Sequence, residues 1–297
     1  MTLYISFLYT IIVLIWGTSW FGIKMQLGIV APEVSVVYRF LIASVILGIF
    51  CVVTKRRLKF SKRDHVFLVL QGLFQFSLNY QFFYAATQKL PSSWLVSLAL
   101  SVIVGVNIVN MAIFFHQPIQ AKTVIASLIG LTGLTLVFWP EIMKVNATAE
   151  IWIGFALSLL GTICASLGTM VAVRHHKVGV PIISSTLWGM MYGTLFSALF
   201  VVVKGTPITM DWSARYLSSM MYLSIFATII GFATYFSLIQ KIGADKAAYS
   251  SLLYPLVALV ISTIYEQYHW SLLVIIGVIL VLAGNVMILY KPRRSQA

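Results

Sequence analysis

No charged side chain stands between Asp64 and Lys89, between Lys89 and Lys122, or between Lys122 and Glu141. The same holds from Glu150 to Arg174, Arg215 to Lys241, Lys246 to Glu266 and Glu266 to Lys291. About 20 apolar residues, wound as a helix, cross the roughly 30 Å hydrocarbon core of a bilayer. Inside lipid each backbone N–H and C=O must find its partner within the segment, so these stretches are expected to be helices. The chain reads as an all-α, polytopic membrane protein.

Only 9% of the residues are charged and 60% are hydrophobic, too few polar residues to clothe a soluble core of this size. The net charge of +13 raises the question of nucleic acid. The basic residues instead occupy short loops between apolar stretches, as membrane topology requires, so no nucleic-acid partner is expected. Cys51 and Cys164 fall inside apolar stretches and read as small core residues, with no metal or disulfide framework. The stretch from Leu3 to Ile23 has no basic n-region and no small-residue cleavage site, and reads as a retained first helix.

Ten spans are expected, at about 3–23, 32–53, 66–87, 92–115, 121–139, 151–173, 180–203, 216–239, 246–265 and 271–290. Pro32, Pro91 and Pro181 stand at span starts, where a missing N–H leaves no helix bond unmade. With the N-terminus in the cytoplasm, 14 of the 20 Lys and Arg residues fall on the cytoplasmic side, six of them between Lys55 and Arg63. Five fall outside: Lys24, Lys89, Lys144, Lys204 and Arg215. That asymmetry places both termini in the cytoplasm, in keeping with an even number of spans.

The halves overlay weakly. At an offset of 152, Gln88-Lys89-Leu90 matches Gln240-Lys241-Ile242; at 149, Pro32 matches Pro181. Residues 1–145 and 146–297 each hold five spans. Five is odd, so the second half is expected upside down relative to the first. The matched loops Lys55–Asp64 and Lys204–Arg215 differ in charge accordingly, six basic residues against two. Inverted repeats build many secondary transporters, with the site at the midplane.

Polar residues inside spans mark where such a site would form, since lipid offers them no partner. Gln71, Gln75 and Asn79 recur every four residues on one face of the third span. Trp94, Ser97 and Ser101 share a face of the fourth, with Asn107 and Asn110 deeper. Ser250, Ser251 and Tyr254 precede Pro255 in the ninth, where the proline is expected to free a carbonyl near Ser251. Trp20 on the first span, Ser166 on the sixth and Tyr235 on the eighth complete the candidate cavity. Against each Ser stands a packing reading, since small residues let membrane helices approach closely. Against each Trp and Tyr stands an interfacial one. Arg39, about two turns into the second span, either snorkels outward, bonds helix-end carbonyls, or pairs with a substrate carboxylate. With Glu266, at the outer end of the ninth span, it is a candidate for gating or charge pairing.

No Asp or Glu lies deep in a span, so a buried carboxylate proton relay has no candidate. No phosphate-binding loop motif occurs, and no nucleophile stands paired with a base. Neither an enzyme nor a cofactor is expected.

Trp16-Gly17-Thr18-Ser19 followed by Lys24, Pro32 and Arg39, and Gly243-Ala244 leading to Ala247, Pro255, Glu266, Gly277 and Gly284, resemble the EamA-type transporters of the drug/metabolite transporter superfamily. The first repeat departs from that pattern: Phe115-His116 stands where the family has Glu, and no proline matches Pro255. The resemblance implies two inverted five-helix repeats, a bacterial inner-membrane location, and a central cavity lined by spans 1, 3, 4, 6, 8 and 9. It implies export of small metabolites, amino acids among them. The expected partners are therefore a small-molecule substrate and the lipid bilayer; a monomer and a homodimer both accommodate this. A broad-specificity drug or purine-like exporter is the alternative carrier, and an intramembrane enzyme or lipid-handling protein the alternative class.

Overall fold

The computed structural model describes residues 3–90, 93–143, 148–265 and 270–289. Every regular element among them is helical. Helix α1 is Leu3–Gln26 and α2 is Pro32–Val53, opened by Pro32 in its first turn. Helix α3 starts at Lys62, where the Ser61 hydroxyl accepts the Asp64 N–H; it runs as Lys62–Leu73, widens into a π-helical turn at Phe74–Leu78, and resumes as Asn79–Lys89. Helix α4 is Ser93–Ser101 continued as Ile103–Phe115, and α5 is Ala121–Ile142.

The second half follows the same order. Helix α6 is Ala149–Lys177, capped by Thr148. Arg174, His175, His176 and Lys177 fill its last turn, where the helix dipole favours cations. Helix α7 is Ile182–Lys204, stopped by Gly205 in the left-handed region (φ 68°). Helix α8 is Ala214–Tyr222, a π-helical stretch Leu223–Ile230, and Gly231–Ile242. Helix α9 is Ala244–Ala248, a 3₁₀ turn Tyr249–Leu253, and Tyr254–Tyr265; α10 is Leu272–Leu289.

Nine helical stretches among the described residues are long and apolar enough to cross a membrane. Helix α3 is the exception, because Gln71, Gln75, Asn79 and Gln81 lower its apolar content. Those side chains are buried: α3 lies against α6 and α7, not against lipid. The outer surface is instead apolar, with residues such as Ile49, Val53, Leu199, Val203, Ile279 and Val286 exposed. A bilayer satisfies such a surface; water would not.

The halves interlock. Helix α1 packs on α8 and α9, α2 on α7, and α5 on α10. At the α5–α10 crossing, a methyl group at Gly133 would sit 2.7 Å from the Gly277 carbonyl oxygen, and one at Gly277 would sit 2.6 Å from the Gly133 carbonyl oxygen. Backbones this close exploit the dispersion contact that drives helix association where no hydrophobic effect operates. Cys51 and Cys164 are free and buried, as small core residues should be.

Pro255 acts differently from the sequence expectation. The chain tightens into the 3₁₀ turn ahead of it, and the Tyr254 N–H takes the Ser251 carbonyl, so that carbonyl is not free. A 3₁₀ turn supplies i→i+3 bonds where the proline denies the i→i+4 bond.

Candidate functional site

The two π-helical segments begin at Phe74 and Leu223, 149 positions apart, the offset that aligns Pro32 with Pro181. A π turn inserts one residue and displaces backbone groups from the regular ladder, often at functional sites. Gln75 of the first lines a cavity in the middle of the bundle, and the second ends two residues before Phe232, which lines it too. It holds about 880 Å³ of space free of atoms, its mouth included. It reaches from Thr169 and Tyr235 at mid-bundle to Ile23 and Thr87, near the ends of α1 and α3 that lead to Lys24 and Lys89.

Helices of both halves build its wall. Helix α1 contributes Trp16 and Ser19; α2, Arg39; α3, Gln75, Asn79, Tyr80, Phe83 and Tyr84; α4, Leu100 and Ile103. The second half contributes Ala165 and Thr169 from α6, Phe232 and Tyr235 from α8, and Ala248, Ser251 and Tyr254 from α9. The expected spans all appear, and α2 joins them through Arg39.

An aromatic cluster centres on Trp16. Its ring stands 5.2 Å from Phe232, 5.0 Å from Tyr235 and 5.7 Å from Tyr254. The indole N–H donates to the Ala227 carbonyl at 2.9 Å, inside the π-helical segment of α8, and so satisfies a backbone group at the irregularity. Gly231 leaves room for this, since a methyl group there would lie 2.6 Å from the indole nitrogen.

The polar candidates divide in two. Gln75, Asn79 and Ser251 line the cavity, and Gln75 Oε1, Asn79 Oδ1 and Ser251 Oγ have no hydrogen-bond partner there. Tyr235 and Tyr254 are wall residues. The others are structural. Gln71 is wholly buried behind the cavity, against Gly189 of α7. Ser101 donates to the Ser97 carbonyl on its own helix at 2.9 Å. Asn110 donates to Ser166 Oγ at 2.8 Å, and Ser166 donates to Asn107 Oδ1 at 2.6 Å, tying α4 to α6. Ser250 bonds the Ala247 carbonyl and the Tyr254 hydroxyl. The side chains of Trp20 and Trp94, and Glu266, lie outside the described residues.

Arg39 neither snorkels nor caps a helix end. It is 2% exposed. Its Nε donates to Thr228 Oγ1 at 2.8 Å, and Nη2 reaches the Tyr80 hydroxyl at 3.5 Å. The guanidinium lies 4.9 Å from the Tyr80 ring centre and 5.7 Å from that of Phe40. Nη1 has no partner. Burial in a cavity wall was not legible in the sequence, because the rotation of α2 that turns Arg39 inward depends on packing against α7 and α8.

An ion pair stands at the end of the bundle opposite the mouth. Arg174, at the end of α6, pairs with Asp64, at the start of α3, at 2.8 Å, and covers the Phe67 ring at 4.1 Å. The Ser61 hydroxyl and the Arg174 guanidinium hold the Asp64 carboxyl below its ordinary pKa. Tyr9 donates to Asn285 Oδ1 at 2.5 Å, joining α1 to α10.

The model of the EamA-like transporter family matches residues 3–139 and again 152–290. An uncharacterized transporter, YvbV, of Bacillus subtilis is 23% identical over 300 residues, covering 98% of this chain and 93% of its own. Protein PagO of Salmonella typhimurium is 26% identical over 289 residues, covering 95% and 93%. A solved crystal structure superposes with a TM-score of 0.79 over 99% of both chains at 17% identity, a likeness of fold.

Proposed function

This chain belongs to the EamA-like transporter family and is a multi-pass membrane transporter; from that premise we propose that it exports small amphipathic solutes, amino acids with large apolar side chains foremost. One observation carries the proposal. A single cavity, walled by aromatic rings from both halves, is lined by Gln75, Asn79 and Ser251, whose Oε1, Oδ1 and Oγ atoms are buried without protein partners. Unpaired buried polar atoms are costly unless water or a ligand meets them. An amphipathic solute supplies both complements, rings against rings and polar head against amides.

In a bacterial inner membrane, with both termini cytoplasmic, the mouth near Ile23 and Thr87 faces outward and the Asp64–Arg174 end faces the cytoplasm. Export then proceeds by alternating access. The ion pair breaks to admit solute from the cytoplasm and reforms as the outer mouth opens. Inside-out vesicles test this: uptake of radiolabelled aromatic and aliphatic amino acids is expected to exceed that of empty-vector vesicles. Gln75→Leu or Asn79→Leu is expected to cut flux while insertion persists. Absence of solute-dependent flux for every amino acid and apolar solute tried would sink the proposal.

A further inference from the structure

We propose that Arg39 is the docking point for a carboxylate on the transported solute, so that a negative head group, not the amine, is the obligatory part of the cargo. This deepens the export reading above and rests on it. A guanidinium keeps its charge at every accessible pH. A charge removed from water is expected to be paired. Arg39 is not paired with an acid in the protein: its partners are the Thr228, Tyr80 and Tyr84 side chains and two ring faces, all neutral. Among the described residues Glu33 is engaged by Lys204 and Thr206, Asp64 by Arg174, and Glu150 by Lys89.

Geometry sharpens the point. Nε is anchored on Thr228 and Nη2 is directed at Tyr80, which holds the guanidinium plane across the wall of the cavity. Nη1, fully buried, is left with an unspent N–H. A carboxylate accepts from such an edge with charge-assisted bonds, stronger than those to a neutral group. The wall supplies no carboxylate in return. An ammonium group on the solute finds neutral oxygens, those of Gln75, Asn79 and Ser251 among them, and ring faces, but no carboxylate. The fixed charge of the lining therefore favours an anion and disfavours a lone cation. The neighbouring rings of Trp16, Phe232 and Tyr254 take an apolar body.

The test holds the body constant and varies the head. Tryptophan, 3-indolepropionate, tryptophan methyl ester and tryptamine are each titrated against the purified full-length protein in detergent, with thermal stabilisation as readout. Octanoate and octylamine repeat the comparison without an indole. The acids are expected to bind on the order of 10- to 100-fold tighter than the ester and the amines, the range for losing a hydrogen bond to a charged group. Arg39→Lys keeps the charge without the fork and should shrink that preference; Arg39→Gln should abolish it. Where Arg39→Gln fails to fold, the wild-type series and Arg39→Lys decide. Equal binding of acid and amine in both sets, no binding in either set, or an acid preference that survives Arg39→Gln overturns the proposal. Acid-selective binding without flux in vesicles would instead overturn export and leave the carboxylate site standing.

Discussion

Arg39 of α2 donates through Nε to Thr228 Oγ1 of α8 at 2.8 Å, a bond between the two halves of the chain. Thr228 in turn donates to the Leu223 carbonyl at 2.8 Å, five residues back, the spacing of a π turn. The irregular backbone of α8 and the buried cation of α2 are thereby parts of one arrangement. Thr228→Val keeps the shape, strips the acceptor from a buried guanidinium N–H, and should cost about 1–3 kcal/mol. Thr228→Ser keeps the hydroxyl and should lie close to wild type. Melting temperatures of the two variants in one detergent check the pair; equal losses would show that the methyl group, not the hydroxyl, matters.

Gln71 and Gln75 are one helical turn apart yet differ in surroundings. Gln75 lines the cavity, whereas Gln71 is wholly buried behind it with neither amide atom bonded. Gln71→Leu removes two unsatisfied groups and should leave solute flux unchanged, with stability equal or higher. Gln75→Leu should reduce flux. Vesicle transport and a thermal melt of each variant separate them.

Gly231 and Trp16 form a second sensitive pair. A methyl group at Gly231 would lie 2.6 Å from the indole nitrogen, so Gly231→Ala should push Trp16 off the Ala227 carbonyl. Trp16→Phe keeps a ring and loses the donor. Both should weaken solute binding, and Trp16→Phe should cost about 1 kcal/mol of stability for the lost bond. Ligand-induced thermal shifts report the first effect and unliganded melts the second.

Asp64→Asn removes the charge that Arg174 holds at the end opposite the mouth. Labelling of a cysteine at position 169, in a variant lacking Cys51 and Cys164, should then rise several-fold from the Asp64 side of the membrane. Because the Asp64 carboxyl is held below its usual range, its pairing persists above roughly pH 4 and is lost as pH falls further. Labelling of the unmodified pair, divided by the rate of a free thiol at the same pH, should therefore be flat from about pH 6 to 8. A rise across that interval would assign the closure to some other group.

Gly277→Val places atoms against the backbone of Gly133 at the α5–α10 crossing, where no rotamer change relieves the contact. The loss should exceed the roughly 1–3 kcal/mol of ordinary overpacking. A size-exclusion profile that keeps its monodisperse peak and its melting point would contradict the close approach.

Much of this architecture was legible in the residues alone. Long uncharged intervals, span-opening prolines and the basic loop at Lys55–Arg63 announce membrane helices, because a bilayer leaves helices as the means of pairing an uninterrupted apolar backbone. The stripe of Gln71, Gln75 and Asn79 announced that α3 avoids lipid. Periodicity could not say which amide meets the cavity, because that depends on how α3 is rotated against α6 and α7. It assigned Ser101, Ser166 and Ser250 to the same cavity, whereas each spends its hydroxyl on a neighbouring carbonyl, amide or phenol.

What the sequence by itself determined is the solvent of this protein, since hydropathy acts segment by segment. Only the tertiary structure decided where Arg39 points, that Pro255 follows a 3₁₀ turn in which the Ser251 carbonyl is bonded, and that π-helical segments interrupt α3 and α8. These are outcomes of helix rotation and depth. Rotation and depth are set by side-chain packing between helices distant in sequence, which no local pattern encodes.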